Sequence, residues 1–157
     1  MAQVHRVCLI GPECVGKTTF AERLARECNT SWIPEFAREY ALRVQRELTA
    51  DDVEPIAHGE LALLDANPDA RVLDTDLLST VVYARYYYGT CPEWIEREAR
   101  TRRADLYLLL DTDVAWLADL ARDASADARE DLFDAFRAAL DEFGTTWTIV
   151  SGGWEER

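Results

Sequence analysis

The stretch at residues 11–18 constrains the fold most strongly; it is Gly-Pro-Glu-Cys-Val-Gly-Lys-Thr. It fits the pattern G-x-x-x-x-G-K-[ST], in which glycines let the backbone wrap a cluster of phosphate oxygens. A β-prone apolar run at residues 4–10 precedes it, and Phe20, Leu24 and Cys28 follow at helical spacing. A strand, a glycine loop and a helix in this order predict a phosphate-binding loop, because the helix N-terminus adds its positive dipole end.

The chemistry of such a loop assigns roles to its side chains. We expect Lys17 to reach the β- and γ-phosphates of a nucleotide and the Thr18 hydroxyl to hold Mg²⁺, so ATP and Mg²⁺ are the predicted cofactors. The residues expected to contact the nucleotide from the loop and the first helical turn are Gly11, Cys14, Val15, Gly16, Lys17, Thr18 and Thr19. The alternative is a glycine-rich turn between strand and helix that binds nothing.

Length and charge exclude several classes of partner. The chain has 157 residues, which predicts one domain over 1–157, and a net charge of −13. The excess of 30 acidic over 17 basic groups argues against nucleic acid and against an anionic membrane surface as partners. We expect neither a leader peptide nor a membrane helix, and the four cysteines show no metal spacing. This predicts a cytoplasmic protein with Cys8 and Cys28 buried as small apolar residues.

Two groups of charged residues follow predicted strands. Glu35 and Arg38 come after a short strand at residues 30–33, and Asp74 and Asp76 come at the end of another. Ligands of open α/β sheets bind at the carboxyl ends of the strands, so all four are candidate site residues. Asp74 is predicted to hold Mg²⁺ and Asp76 to face the substrate. The alternatives are a helix-dipole partner for Glu35 and turn or cap chemistry for the two aspartates.

A run of three tyrosines, residues 86–88, ends the next predicted helix before Gly89. Three consecutive phenols cannot all face one core, so at least one is expected to be exposed. An exposed ring at a site edge can stack on a heteroaromatic ring, although packing is the more common use of a helical tyrosine. Tyr83 and Tyr87 share one face of this helix.

The last third of the chain supplies a lid and a loop. Small and polar residues at 123–127 predict a mobile lid, and the flanking Arg122 and Arg129 are expected to close on the transferring phosphoryl group. As an alternative, both are solvated helix arginines. After the last strand, Gly152 and Trp154 form a loop where an adenine can rest. Five strands alternating with helices predict an α/β fold, a P-loop NTPase-type three-layer sandwich with a five-stranded, mostly parallel sheet and a small lid.

With these motifs the chain resembles the ribosylnicotinamide kinases, the kinase domain of NadR-type proteins. The likeness covers nearly the whole length. It rests on the loop at 11–18 including Glu13, the block Glu-Phe-Ala-Arg-Glu-Tyr at 35–40, Asp-Thr-Asp at 74–76, and an ungapped segment to Gly89. The segment 116–122 is similar to the family's W-x-x-D-G-x-R lid, and 154–157 to its closing aromatic-acid-acid-Arg.

The resemblance implies ATP-dependent phosphorylation of ribosylnicotinamide to nicotinamide mononucleotide, a step of NAD salvage. It adds Glu13 to the nucleotide-binding residues and places Tyr87 on the family's tyrosine. Three residues depart from the pattern: Cys14 replaces a serine, Leu120 a glycine, and Pro34 an aromatic residue. The departure at Pro34 leaves Trp32 or Tyr87 to supply the ring that stacks on the substrate.

The expected acceptor is a small nucleoside whose ribose hydroxyls are held by Glu35 and Asp76, one of which accepts the proton of the attacking oxygen. A nucleotide-hydrolysing regulatory module explains the phosphate loop equally well, but not the second acidic cluster or the lid. The missing N-K-x-D motif speaks against a GTPase, and the absence of a following helical domain against an AAA-type ATPase. A kinase for another small alcohol also stays open, as does the oligomeric state.

Overall fold

The fold is built on a five-stranded sheet in which all the strands described are parallel, in the order β2-β3-β1-β4-β5. The computed structural model describes residues 3–13, 15–113, 126–153 and 155. The α/β prediction is confirmed. None of the helices in these ranges is long and apolar enough to cross a membrane.

Strands and helices alternate along the chain. The strands are β1 Val7–Ile10, β2 Trp32–Ile33, β3 Val72–Asp74, β4 Leu106–Leu110 and β5 Trp147–Val150. The helices are α1 Lys17–Glu27, α2 Phe36–Val44, α3 Val53–Ala66, α4 Leu77–Tyr88, α5 Glu93–Thr101 and α6 Ala126–Glu142, with a 3₁₀ turn at Ala50–Asp52 before α3. Ala126 and Asp127, predicted to belong to the lid, are instead the start of α6.

Alternation along the strands creates two cores. Cys8 and Ile10 of β1 face one side and pack with the buried residues of α3, α4, α5 and α6. Leu9 faces the other side and packs with Ala21 and Ala25 of α1. Helices on both faces of a parallel sheet form the predicted three layers.

One prediction about the core is wrong. Cys8 is buried as expected, but the Cys28 thiol is exposed. Cys28 is the residue that ends α1: its backbone N–H bonds to the carbonyl of Leu24, and the N–H of Asn29 bonds to the carbonyl of Arg26. The small residues Ala21 and Ala25 carry the buried face of α1 instead, which turns the last residue of the helical stripe toward solvent.

The connection between α2 and α3 is held by a network around Asp52, a carboxylate that is only 3% exposed. Arg46 donates to both of its oxygens, at 2.7 and 2.8 Å, and the Tyr40 hydroxyl donates at 2.8 Å. The Arg46 bonds, with those from Thr49 and Tyr40, hold the pKa of Asp52 well below its usual range. A close packing contact lies beside it, since a Cβ on Gly59 of α3 would come within 2.0 Å of the Phe36 ring. These contacts fix α2 against α3 and leave a cavity between them and α4.

Candidate active site

The phosphate loop joins the central strand to α1. Gly11 has φ 146° and Gly16 has φ 88°, conformations that L side chains rarely adopt. A Cβ on Gly11 would also come within 3.1 Å of the Leu110 carbonyl in the neighbouring strand. The Val15 side chain is fully buried in the core beneath α1, so Val15 can offer a phosphate its backbone N–H alone. The loop therefore has the backbone geometry that its sequence pattern predicts.

Lys17 spans this loop. Its Nζ donates to the carbonyl oxygens of Gly11 at 3.0 Å and of Pro12 at 2.6 Å, and the residue is only 8% exposed. Because Lys17 is the first residue of α1, its ammonium and the helix N-terminus lie on the same side of the loop. This places two sources of positive potential where phosphate oxygens are expected.

The side chains of Thr18 and Asp74 contact each other at the carboxyl end of the sheet. The Thr18 hydroxyl donates to Oδ2 of Asp74 at 2.6 Å, although the two residues lie 56 positions apart. Parallel pairing brings them together, because β3 lies beside β1 with Asp74 level with Leu9. The other oxygen, Oδ1, is buried and has no hydrogen-bond partner among the described residues. Burial raises the pKa of the Asp74 carboxyl, and the nearby Glu35 raises it further.

This pair fits a Mg²⁺ ion chemically. A hydroxyl and a carboxylate are the hard oxygen ligands that Mg²⁺ prefers, and the orphaned Oδ1 gains from a cation. Within the described residues, no group of three or more His, Cys, Asp or Glu side chains can hold a metal. An ion at Thr18 and Asp74 would therefore take its other ligands from nucleotide phosphates and water, as Mg²⁺ commonly does.

Asp76 is held by the protein itself. Its Oδ1 accepts from the backbone N–H of Leu78, which caps α4, and its Oδ2 accepts from the Tyr107 hydroxyl. Burial raises the pKa of Asp76 to about 6, although these hydrogen bonds act to lower it. The capping interpretation of Asp76 thus describes its present contacts, and its role toward a substrate stays a prediction.

A cavity of about 780 Å³ opens beside the phosphate loop, between α2, α3 and α4. Its wall includes Glu13 of the loop and Glu35 at the start of α2, both of them predicted site residues. Arg38 lies close enough to Asp74 to lower the pKa of that carboxyl, which places it near the same edge of the sheet. The cavity is therefore continuous with the place where phosphates are expected, as an acceptor pocket must be.

The cavity wall is strongly acidic. Its carboxylates are Glu13, Glu35, Glu47, Asp52 and Glu60. Among the described lining residues the one basic side chain is Arg46, and its guanidinium is bonded to Asp52. The described lining thus carries five carboxylates and one guanidinium, so the cavity favours a cationic ligand over an anionic one.

Aromatic rings form the outer part of the same wall. Tyr83, Tyr87 and Tyr88 line the cavity from α4. The Tyr87 ring is half exposed and lies parallel to the Tyr83 ring, with 6.0 Å between centroids and 5° between planes. Tyr86 is also exposed, so the expectation of an exposed phenol is confirmed. Tyr87 is the member of the run that is both exposed and at the cavity.

Other predicted site residues lie elsewhere. Trp32 does not line the cavity; its side chain packs with the core beneath α1, because it alternates with Ile33, which faces α3 and α4. Arg129 is only 4% exposed, so it is not a solvated helix arginine. Thr19 is exposed in the first turn of α1, and the backbone N–H of Gly152 bonds to Asp113 at 2.5 Å. Cys14, Arg122 and Trp154 lie outside the described residues, and so does most of the predicted lid.

Sequence reasoning missed the inner part of the cavity. Glu60 and Ser79 line it, and Glu60 Oε2 accepts from the Thr80 hydroxyl at 2.7 Å. Nothing in the local pattern marks these residues, since each lies inside a helix without a recognisable motif around it. The signal available was Gly59, because a glycine inside a helix indicates a close packing contact there.

A parallel sheet with a P-loop after its central strand defines the class as a P-loop nucleotide-binding domain. The sequence family described as an AAA domain matches residues 6–157, and the chain belongs to this family. This match concerns the P-loop domain itself, whereas the expectation against an AAA-type ATPase rested on a further helical domain, so the match does not contradict that expectation.

Named relatives narrow the comparison. The chain is 30% identical over 138 residues to the "Trifunctional NAD biosynthesis/regulator protein NadR" of Escherichia coli K12, covering 81% of this chain and 33% of that protein. A crystal structure of NadR protein in complex with NR superposes with a TM-score of 0.81 at 25% identity, over 98% of this chain and 45% of the other. Thymidylate kinase from Ehrlichia chaffeensis shares the fold, with a TM-score of 0.64 at 15% identity over 92% of this chain and 84% of the other. The chain thus spans about a third of the length of the curated NadR relative. The sequence identity and the superposition support the resemblance to the kinase domain of NadR-type proteins.

Proposed function

We propose that this protein is an ATP-dependent kinase that phosphorylates ribosylnicotinamide to nicotinamide mononucleotide. The observation that carries the proposal is the acidic, tyrosine-walled cavity directly beside the phosphate loop. Ribosylnicotinamide has a cationic ring, and cations are attracted to carboxylates and to aromatic faces. The solved NadR relative that covers 98% of this chain binds NR, which is consistent with this acceptor.

The phosphate side of the reaction belongs to residues of the loop. Lys17 and the N-terminus of α1 would stabilise the β- and γ-phosphates of ATP, and Thr18 with Asp74 would hold Mg²⁺. When bound, Mg²⁺ supplies neutralisation of phosphate charge. Arg129 and Arg122 are proposed to add positive charge as the phosphoryl group transfers, and Gly152 and Trp154 to contact the adenine.

The acceptor side belongs to the cavity. Glu35 lines the cavity beside the phosphate loop, so we propose that Glu35 accepts the proton of the attacking hydroxyl. Asp76 is the weaker candidate for this base, because its oxygens already accept hydrogen bonds from Leu78 and Tyr107. Arg38 balances the carboxylates at this edge. Glu13, in the loop and in the cavity wall, lies between the two substrates. Most of the rate enhancement then comes from positioning and charge.

A panel of acceptors tests the assignment. ADP release is measured with ATP and ribosylnicotinamide, uridine or cytidine, and the phosphorylated product is identified by mass spectrometry. We expect the highest kcat/KM with ribosylnicotinamide, because the neutral nucleosides gain less from the acidic wall. Acceptor-independent hydrolysis at one rate across the panel would instead support a nucleotide-driven regulatory module, and a faster neutral nucleoside would leave only the kinase class.

Tyr87→Ala is expected to lower kcat/KM for ribosylnicotinamide. The loss should correspond to roughly 1–3 kcal/mol of transition-state binding energy, the range for a stacked ring. Tyr87→Phe keeps the ring face and is expected to lose much less. Tyr86→Ala is the matched control, since Tyr86 is adjacent and exposed but outside the cavity lining. Equal losses in the two alanine variants would remove stacking from the explanation.

We also propose that the protein works in the cytoplasm. The cysteines that the structure describes, Cys8, Cys28 and Cys91, are all free thiols, as a reducing compartment allows. The acidic surface, with a net charge of −13, supports the further proposal that neither nucleic acid nor membrane is a partner. Its substrates are then ATP and a small nucleoside.

A further inference from the structure

The hydroxyl of Ser79 is a buried polar group to which the described part of the chain offers no hydrogen bond. Ser79 lines the cavity, is 3% exposed, and its Oγ has no hydrogen-bond partner among the described residues. A helical serine commonly bonds back to the carbonyl four residues earlier, and this one does not. Because an unpaired buried hydroxyl is costly, its position in a cavity wall indicates a ligand as the partner.

A carboxylate of α3 lies beside the same turn of α4. Thr80, the neighbour of Ser79, donates to Glu60 Oε2 at 2.7 Å and so orients a carboxylate of α3 toward α4. Glu60 lines the cavity together with Ser79 and Thr80. A carboxylate has two oxygens and about four acceptor positions, so a ligand hydroxyl can share Glu60 with Thr80.

The position of Ser79 along α4 matches the place expected for the sugar of a bound nucleoside. Ser79, Tyr83 and Tyr87 line the cavity at successive spacings of four residues, each step about 6 Å along the helix. Ser79 belongs to the first turn of α4, next to the end of β3, and Glu60 also borders a small pocket with Asp74. A nucleoside with its primary hydroxyl at the phosphates and its ring at the tyrosines therefore has its sugar beside Ser79.

We propose that Ser79 and Glu60 form a subsite for the vicinal secondary hydroxyls of a ribose, and that this subsite selects ribosides against 2′-deoxyribosides. One sugar hydroxyl donates to the Glu60 carboxylate, and its neighbour exchanges a hydrogen bond with the Ser79 hydroxyl. Thr80 positions the carboxylate. The inference rests on the proposed kinase function and adds the class of sugar to it.

The test compares kcat/KM for nicotinamide riboside and its 2′-deoxy analogue. We expect the parent protein to prefer the riboside by at least about tenfold, since a site built to bond a hydroxyl rejects the analogue that lacks it. Ser79→Ala and Glu60→Gln are each expected to reduce that ratio severalfold, and Thr80→Val to reduce it less. Ser79→Ala should not lower the melting temperature of the free protein, because it removes an unpaired hydroxyl.

Glu54→Gln is the matched control, because Glu54 is a carboxylate of the same helix that bonds to Trp94 outside the cavity lining. The subsite is overturned if Ser79→Ala and Glu60→Gln slow both acceptors equally, or if the parent protein accepts both equally well. If nicotinamide riboside is not phosphorylated but another riboside is, the proposed acceptor is wrong. The ratio for that riboside and its 2′-deoxy form then decides the subsite separately.

Discussion

Replacing Lys17 with methionine is expected to lower kcat by at least about 10²-fold, the loss typical of removing one charge-stabilising donor at a transition state. Methionine fills much of the space of the buried lysine stem and removes only the ammonium. Far-UV circular dichroism and thermal unfolding check that the fold persists, since Nζ also donates to the carbonyls of Gly11 and Pro12. Full turnover in a folded variant would remove the phosphate loop from the mechanism.

Chemical labelling provides a second test of the role of Lys17. Lys17 is the one lysine in the 157 residues, the other 16 basic residues all being arginines. An amine-acylating reagent can therefore modify Lys17 and the terminal amine but no other side-chain amine. ATP is expected to protect Lys17 from acylation, measured by peptide mass spectrometry, and Lys17→Arg serves as the unmodified control. Labelling that is indifferent to ATP would contradict the role of Lys17 at the phosphates.

Asp74→Asn is expected to raise the Mg²⁺ concentration for half-maximal activity by about 10–100-fold, the range for changes around a metal site. The substitution keeps the shape of the side chain and removes its charge, which a hard cation needs. The Thr18 hydroxyl can still bond to the amide oxygen, so the fold is expected to stay intact. The measurement is a Mg²⁺ titration of turnover at saturating ATP.

Asp105→Asn provides a control for general loss of stability. Asp105 accepts from the backbone N–H groups of His5 and Arg6. It lies just before β4, at the amino end of the parallel strands and therefore away from the phosphate loop. Its substitution is expected to affect unfolding but not the Mg²⁺ titration. If the two variants titrate alike, Asp74 has only a structural role at the end of β3.

The contacts of Asp74 and Asp76 in the structure show which features a local sequence pattern predicts and which depend on tertiary packing. Asp74 was predicted from a buried strand that ends in a carboxylate, and the structure brings it to the Thr18 hydroxyl at 2.6 Å. Asp76, two residues later, occupies the same kind of sequence position, yet its side chain caps α4 and bonds to Tyr107 of another strand. The sequence supplied both interpretations of Asp76, but it contained no information about the distant tyrosine.

The aromatic and thiol positions show the same division. The run of three phenols predicted that at least one is exposed, and the family resemblance singled out Tyr87, which is the exposed member at the cavity. Trp32 was an equal candidate, but a strand of two residues sends adjacent side chains to opposite faces, and Trp32 faces α1. Cys28 continued the helical stripe of α1, but the helix ends there.

The sequence by itself determined the phosphate loop, the parallel α/β order and the acidic residues at the strand ends. These follow from local chemistry: glycines for a tight turn, apolar runs for buried strands, and carboxylates where strands finish. Only the tertiary structure decided which side chains share the acceptor cavity, because three helices from separate parts of the chain form its wall. Ser79 and Glu60 lie 19 positions apart and are unremarkable in sequence, and the packing of α3 against α4 makes them neighbours.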